Sequence, residues 1–412
     1  MLIATLKSER LFARWASAEG VSMFGTAAST VVLPVLVYDL TGSAATTGMV
    51  FATRLIPYLL LGWIAGPIAD RFSRRRLIIG GNLAEGLLVA TIPIAAWLDV
   101  LTVGQVFAVA LLSAVAFVFS DAAVFGAVPA LVHEERLASA NGVLATLASA
   151  ADIAGPVIAG VLIATIGPAN ALSIDAMTFL FAAAVQSTIR SNLRRGETGE
   201  GPPSIRRHLA TGLRFIRRQR TVFVLIVAGF ANSLAIGCIL GLLVPWSIEV
   251  LGYDRDDARL GVLYAAVGIG SLIAAVVFPR IFATRRVRLI TPASLAWSAA
   301  AAATLLITTA TLAPASIAAF AFGIMLTITI GITYRQLVTP DELTSTVNTV
   351  GRTIAAGGQP LGAAIGAIVV ANTSITTAYS AAAVTLAVTA VGAFVALGSA
   401  NADGPTRDED EQ

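Results

Sequence analysis

Seven ionisable residues lie inside long apolar stretches of this chain: Glu19, Arg54, Glu85, Asp121, Asp152, Asp175 and Arg352. A charged side chain at the centre of a bilayer costs about 2.5–3.5 kcal/mol on insertion scales, so each needs a partner or a task. Arg54, Glu85, Asp152 and Arg352 are far from either end of their stretches; Glu19, Asp121 and Asp175 are shallower. The only histidines, His133 and His208, fall in polar connections, so a proton held inside must sit on Asp or Glu. A dry site favours the neutral form of a carboxyl group, which makes such a role chemically reasonable. Other chemistry is excluded. One lysine, Lys7, leaves no Gly-x-x-x-x-Gly-Lys phosphate loop. Two histidines and the single Cys238 supply no metal-ligand cluster. No cofactor is expected, and no catalysis of bond making or breaking.

The elements that must carry these residues are membrane helices. The chain has 412 residues, 57% of them hydrophobic and 12% charged, with a mean hydropathy of +0.83. A soluble domain carries about 25% charged residues. A helix needs roughly 20 mostly apolar residues to cross the hydrocarbon core, so twelve crossings use about 240. The spans read at 11–38, 45–65, 77–97, 104–127, 138–166, 168–189, 221–247, 259–279, 288–311, 313–334, 343–371 and 375–398. The stretch after Lys7, Arg10 and Arg14 has no small-residue cleavage site, so span one is expected to be retained.

Arginines orient these helices. Gly66 to Arg76 reads as a very short connection carrying Asp70 with Arg71, Arg74, Arg75 and Arg76. Of 27 Lys and Arg, two lie in spans (Arg54, Arg352) and two in the loop after span seven (Arg255, Arg259); the other 23 share one face. Clustered Lys and Arg mark the cytoplasmic side, so both termini are expected there. The sequence pI of about 9.3 comes from these loops and does not indicate nucleic acid. Residues 191–220 form the one long connection. Gly196, Gly199, Gly201, Pro202 and Pro203 make it flexible at first. An apolar stripe, Ile205, Leu209, Leu213 and Ile216, then opposes Arg206, Arg207, Arg214, Arg217 and Arg218, as in a helix lying on an anionic membrane surface. The tail, 401–412, is acidic and reads as disordered.

The connection separates two repeating halves, 1–190 and 221–400. Asp-Arg-Phe-Ser-Arg-Arg-Arg at 70–76 is echoed by Arg-Ile-Phe-Ala-Thr-Arg-Arg at 280–286, Leu131-Val132 by Leu337-Val338, and Pro156 by Pro360. Two six-span bundles follow, with a site expected between them near the midplane. Asp152, three residues before Gly155-Pro156, is the foremost candidate to sense the opening and closing of that cavity.

Gly66-x-x-x-Asp70-Arg71-x-x-Arg74-Arg75 resembles the loop 2–3 signature of the major facilitator superfamily, with Ser73 in place of the usual glycine, and the resemblance covers residues 11 to 400. It implies an all-α membrane protein of twelve transmembrane helices in two pseudo-symmetric six-helix bundles. It also implies that Asp70 meets the start of span eleven, near Leu343, when the outer side is closed. A carboxylate at a helix N-terminus gains roughly 0.3–1 kcal/mol, a contact that can form and break. Gly142, Gly155, Pro156 and Gly160 partly match the glycine- and proline-rich span five of the family's exporters, with Ala151 and Ala159 where glycines are usual. The arginine that proton antiporters carry early in span four is absent. Val37-Tyr38-Asp39-Leu40-Thr41-Gly42-Ser43 and Leu131-Val132-x-x-Glu135 resemble the branch of bacterial siderophore and macrolide exporters.

The family lines its cavity with spans one and four, which makes Glu19 and Asp121 candidates beside Asp152. It places spans three and six peripherally, so Glu85 and Asp175 are expected to pair structurally. Arg54 and Arg352 either pair with acids or bind an anionic group. Five embedded acids against two bases leave a nominal −3, which tilts the substrate towards a neutral or cationic amphiphile. The resemblance implies a secondary active transporter in the bacterial inner (plasma) membrane, favoured as a proton-coupled exporter of a small amphiphilic compound. An importer or uniporter of a small polar solute is the alternative; a sensor or scaffold without transport is a third. A monomer is expected, because each half supplies the other's partner.

Overall fold

The computed structural model describes residues 8–189 and 213–398. Among them there is no strand. Lipid offers the backbone no hydrogen-bond partner, so a helix, which satisfies its own N–H and C=O groups, is the available answer. The spans are Arg10–Thr41, Ala44–Arg71, Arg74–Trp97, Val103–Ala127, Leu137–Ile166, Pro168–Ser187, Arg220–Gly241 continued by Leu243–Glu249, Arg259–Ile281, Val287–Thr304, Ala313–Val338, Asp341–Ala356 continued by Gly358–Asn372, and Ile375–Gly398. Local sequence sets several ends. Gly42, at φ +59°, closes span one. The Ser43 and Thr102 hydroxyls cap spans two and four by accepting from Thr46 N and Gln105 N, both at 3.2 Å.

Eleven of these helices are long and apolar enough to cross a membrane. The other is span nine, 18 residues ending at Thr304 rather than near 311. It carries Arg288 and several Ser and Thr, and one side of it packs on spans ten and twelve while Leu289 and Trp297 stay exposed. A second departure concerns the Gly66–Arg76 segment. Span two continues as helix through Arg71 and span three starts at Arg74, so only Phe72 and Ser73 connect them.

The pairing of helices repeats from one half to the other. Span one packs on five and six, three on four and six, and two on four; seven packs on eleven and twelve, nine on ten and twelve, and eight on ten. Adding six to each number of the first set gives the second. The bundles meet through spans two with eleven and five with eight, which the same operation exchanges. Small residues allow the approach. A Cβ on Gly261 would strike the carbonyl oxygen of Pro156, and one on Gly160 that of Ala258; without a Cβ, the two backbones touch.

The contact between bundles is uneven. On the face away from the termini, one apolar core joins both halves, from Val31, Leu36 and Tyr38 to Leu242, Trp246 and Leu260. Polar contacts reinforce it: Tyr38 Oη donates to Glu249 Oε1 at 2.9 Å, and Arg255 lies 4.0 Å from Asp39 Oδ1 and over the Tyr38 ring at 5.3 Å. In the nearby loop, Arg259 hydrogen-bonds Asp257 at 2.5 Å and holds that carboxyl below the usual carboxylate range. Towards the termini the apolar clusters are separate, one around Phe12, Trp15 and Val132 and another around Ile216, Val222 and Val347. Ile216, with helical residues 213–218, is the docked end of the long connection, and Arg214, Arg217 and Arg218 stay exposed. The rest of the expected amphipathic helix and the acidic tail lie outside the described residues.

Gly261→Val should lower the melting temperature of the detergent-solubilised protein, because overpacking a close contact costs about 1–3 kcal/mol; an unchanged melt would contradict the spans five–eight contact. In a Cys238→Ala background, Asp39→Cys with Arg255→Cys, joined by a short reducible bis-thiol reagent, should stop turnover at least tenfold and recover with reductant. Full turnover while cross-linked would show that this face need not open.

Candidate functional site

Between the bundles lies a cavity of about 560 Å³, within the roughly 300–1,000 Å³ range of small-molecule sites. Its two walls differ in chemistry. The N-terminal bundle supplies every charged group, Arg54, Glu85, Asp152 and Asp175, with Ser29, Tyr58 and Ser113. The C-terminal bundle supplies a mostly apolar wall, Leu240, Val267, Leu272, Ala275 and Met325, relieved by Tyr264, Ser271 and Gln359. One arginine against three acids gives a nominal charge of +1 − 3 = −2.

Helix geometry brings the charges together. On span six, Asp175 shares a buried face with Ala171, Leu172, Ala176 and Phe179, the i, i+3/i+4 stripe of one helix side. That face packs on span one, where Gly25 leaves room: a Cβ there would overlap Asp175 and Thr178. Ser29, one turn further along span one, joins two charges. Its hydroxyl donates to Asp175 Oδ2, and its carbonyl accepts from Arg54 at 3.2 Å. The Arg54 guanidinium is within electrostatic reach of Asp175, Glu85 and Tyr264. Glu85 and Asp175 are only 4% and 3% exposed, so these two acids share one buried cation. Such a group is tolerable in hydrocarbon only because its members neutralise one another.

Next to this cluster, towards the terminal face, runs a chain of side-chain hydrogen bonds. Asn82 Nδ2 donates to Gln186 Oε1 at 2.9 Å, and Gln186 Nε2 donates to Glu19 Oε2 at 3.0 Å. Asn82 is three residues from Glu85 on span three, so the chain borders the acid pair.

The candidates read from the sequence distribute as follows. Asp152 and Arg54 line the cavity, as does Pro156. Glu19 and Asp121 are absent from its lining; Glu19 is held by Gln186, and Asp121 Oδ2 lies 3.5 Å from Tyr58 Oη. Arg352, on span eleven, is within electrostatic reach of both Asp121 and Tyr58, so that group spans the two bundles. Glu85 and Asp175 reach the cavity, although the resemblance had put their spans at the edge. Both lie within electrostatic reach of Arg54 at the cavity wall, with no hydrogen bond or ion pair to its guanidinium. Span six is wedged on span one, so its inner face looks inward past Gly25. Tyr264 and Ser29 were not singled out from the sequence. Tyr264's hydroxyl in an apolar run was the available signal; a serine in a small-residue helix gave none.

In span five, a Cβ on Gly155 would lie 2.6 Å from Ala27 Cβ of span one, and Gly160 faces span eight. Gly142 is half-buried on the same helix. Gly66, Asp70 and Arg71 occupy the last turns of span two, and their side chains lie outside the described residues. Arg75 ties span three to span six, donating to Ile189 O at 2.9 Å and Ser187 O at 2.5 Å.

The chain matches the multidrug efflux pump Tap of Mycobacterium tuberculosis with 26% identity over 257 residues, 61% of each chain. It matches macrolide efflux protein A of Streptococcus pyogenes with 24% identity over 220 residues, 53% of this chain and 54% of that one. The chain thus spans just over half the length of the curated relatives it matches. Among solved structures, the nucleoside transporter NupG superposes with a TM-score of 0.75 at 12% identity, over 94% of this chain and 98% of that one. A bacterial homologue of the iron transporter ferroportin gives a TM-score of 0.70 at 15% identity, over 95% and 98%. These likenesses establish the fold. The profile described as Major Facilitator Superfamily matches residues 16–363, and with twelve helices in two exchanged bundles around one cavity, the chain belongs to that superfamily of membrane transporters.

Proposed function

We propose that this transporter is a proton-coupled exporter of small amphiphilic cations, seated in the bacterial plasma membrane with both termini in the cytoplasm. The observation that carries the reading is the two-sided cavity: a nominally −2 wall in the N-terminal bundle faces an apolar wall in the C-terminal bundle. A substrate with a positive head and an apolar body fits both. Asp152, on the cavity-lining side of span five and exposed to the cavity, is the head's first contact. One apolar core joins the bundles on the face away from the termini, and towards the termini their apolar clusters are separate. With the arginine-rich face in the cytoplasm, this arrangement admits substrate from inside. Export is supported by the similarity to the Tap pump and to macrolide efflux protein A.

Transport then proceeds by tilting the bundles about spans two–eleven and five–eight. The Tyr38–Glu249 and Asp39–Arg255 contacts open while the terminal face closes. Closing brings the end of span two to the start of span eleven, so that Asp70 meets the helix N-terminus near Leu343 while the outer side is open, the opposite state from the one the resemblance implies. Gly66, Arg71 and Arg74 belong to that gate; Arg75 holds its frame. Arg352, approaching Tyr58 and Asp121 from the other bundle, closes beside it. A monomer suffices, since the cavity is complete within one chain.

Expressed in a bacterium stripped of its own pumps, the chain should speed ethidium efflux severalfold, and a protonophore should remove the gain. Efflux that persists after the proton gradient collapses would reject the coupling. Asp152→Asn should lower efflux at least tenfold for cationic dyes and much less for neutral ones; equal losses would reject the charge-recognition role.

A further inference from the structure

The buried cluster of Arg54, Glu85 and Asp175, with Tyr264 beside it, holds two polar atoms without a hydrogen-bond partner among the described residues. Asp175 Oδ1 and Tyr264 Oη are both sealed from solvent and have no hydrogen-bond partner among the described residues. Both side chains border the cavity, and their residues are 3% and 7% exposed. A native structure seldom leaves a buried polar atom unpaired unless the site has a task. For Asp175 the arrangement has a simple reading. Oδ2 is engaged with the Ser29 hydroxyl, a contact whose direction can reverse when the carboxyl carries a proton. Oδ1, as the carbonyl oxygen of a neutral acid, then needs no donor.

Charge counting gives the same answer. With both acids ionised the cluster is +1 − 2 = −1, and with one proton added it is +1 − 1 = 0. Low-dielectric surroundings favour the neutral form. Two carboxyls that share a site take up and release a proton as a unit.

We infer that Asp175 and Glu85 together hold one exchangeable proton against Arg54, and that this cluster, distinct from the substrate-contacting Asp152, couples transport to the proton gradient. The inference rests on the antiport reading above. The groups facing it are Arg54 from span two, Glu85 from span three, Glu19 from span one through Gln186, Asp152 from span five across the cavity, and Tyr264 from span eight. Tyr264 is the one member carried by the C-terminal bundle. Tilting that bundle moves its ring away from Arg54 and admits water to the acid pair. With substrate bound on the cytoplasmic side and the cluster wet, the proton passes to a cavity water and leaves Arg54, Glu85 and Asp175 together at −1, a charge that the bound cation offsets. After the outward turn empties the site of cation, a proton from outside restores neutrality. No other atom changes bonds.

The test measures protons released per cation bound, with the full-length protein in weakly buffered detergent, tetraphenylphosphonium as probe and a pH dye as readout. Wild-type protein should release one proton per bound cation. Asp175→Asn and Glu85→Gln should each cut that ratio at least fivefold, whatever they do to affinity, and Asp175→Glu should restore it. Ser29→Ala keeps both carboxyls and should keep the ratio while moving the pH at which release is half complete. A release ratio unchanged in both Asp175→Asn and Glu85→Gln would overturn the inference while leaving antiport standing. Absence of release from wild-type protein, with vesicle uptake of the probe indifferent to a proton gradient, would instead overturn antiport itself. If Asp175→Asn does not fold, the ratio in Glu85→Gln and the pH shift in Ser29→Ala decide the matter.

Discussion

Arg54 is held in an apolar environment by groups from other helices, and much of the N-terminal bundle is arranged to make that possible. Its guanidinium lies against a carbonyl of span one and within reach of acids on spans three and six. No single helix could satisfy it. The requirement fixes how spans one, two, three and six rotate about their axes, since turning any one would leave a charge in hydrocarbon at a cost of several kcal/mol. Gly25 belongs to the same constraint, because a side chain there would push span six and its carboxylate away.

Among the described residues, the C-terminal bundle carries no such cluster facing the cavity. It offers a mostly apolar wall with Tyr264, Ser271 and Gln359. The two halves share a pattern of helix pairing and divide the chemistry, one holding the cavity's charges and the other its apolar wall. Their joints are backbone contacts through small residues, Gly160 against Ala258 and Gly261 against Pro156. Contacts of this kind depend on close approach rather than interlocking side chains, and so they permit a change of angle without repacking a core. The heavier contact lies away from the termini, where Tyr38, Asp39, Glu249 and Arg255 add polar links that can be exchanged for water.

Hydropathy alone located nearly every helix, because the need to satisfy the backbone inside lipid leaves few other structures. The twofold repeat was legible in the Asp70–Arg76 and Arg280–Arg286 echo and in the Pro156–Pro360 pair, and the helix pairing follows that repeat. Span nine is shorter than its hydropathy suggests: its helix stops at Thr304, and residues 305–312 turn instead of continuing it. The segment from Gly66 to Arg76 was read as a loop because its charges exclude it from the bilayer, yet a helix continues past the lipid boundary where nothing in the chain stops it, as span two does to Arg71.

By itself, then, the sequence determined that this chain is a duplicated bundle of membrane helices, which face of it carries the arginines, and that, with both histidines in polar connections, the acidic groups embedded in the spans are Asp and Glu alone. Only the tertiary structure decided which acids meet. A membrane helix is apolar on all sides, so no polar stripe announces which side faces lipid and which faces a neighbour. Glu85 and Asp175 were visible as embedded carboxylates, but their convergence on Arg54 and the cavity depends on how three helices turn about Ser29 and Gly25, a matter of packing between residues distant in the chain.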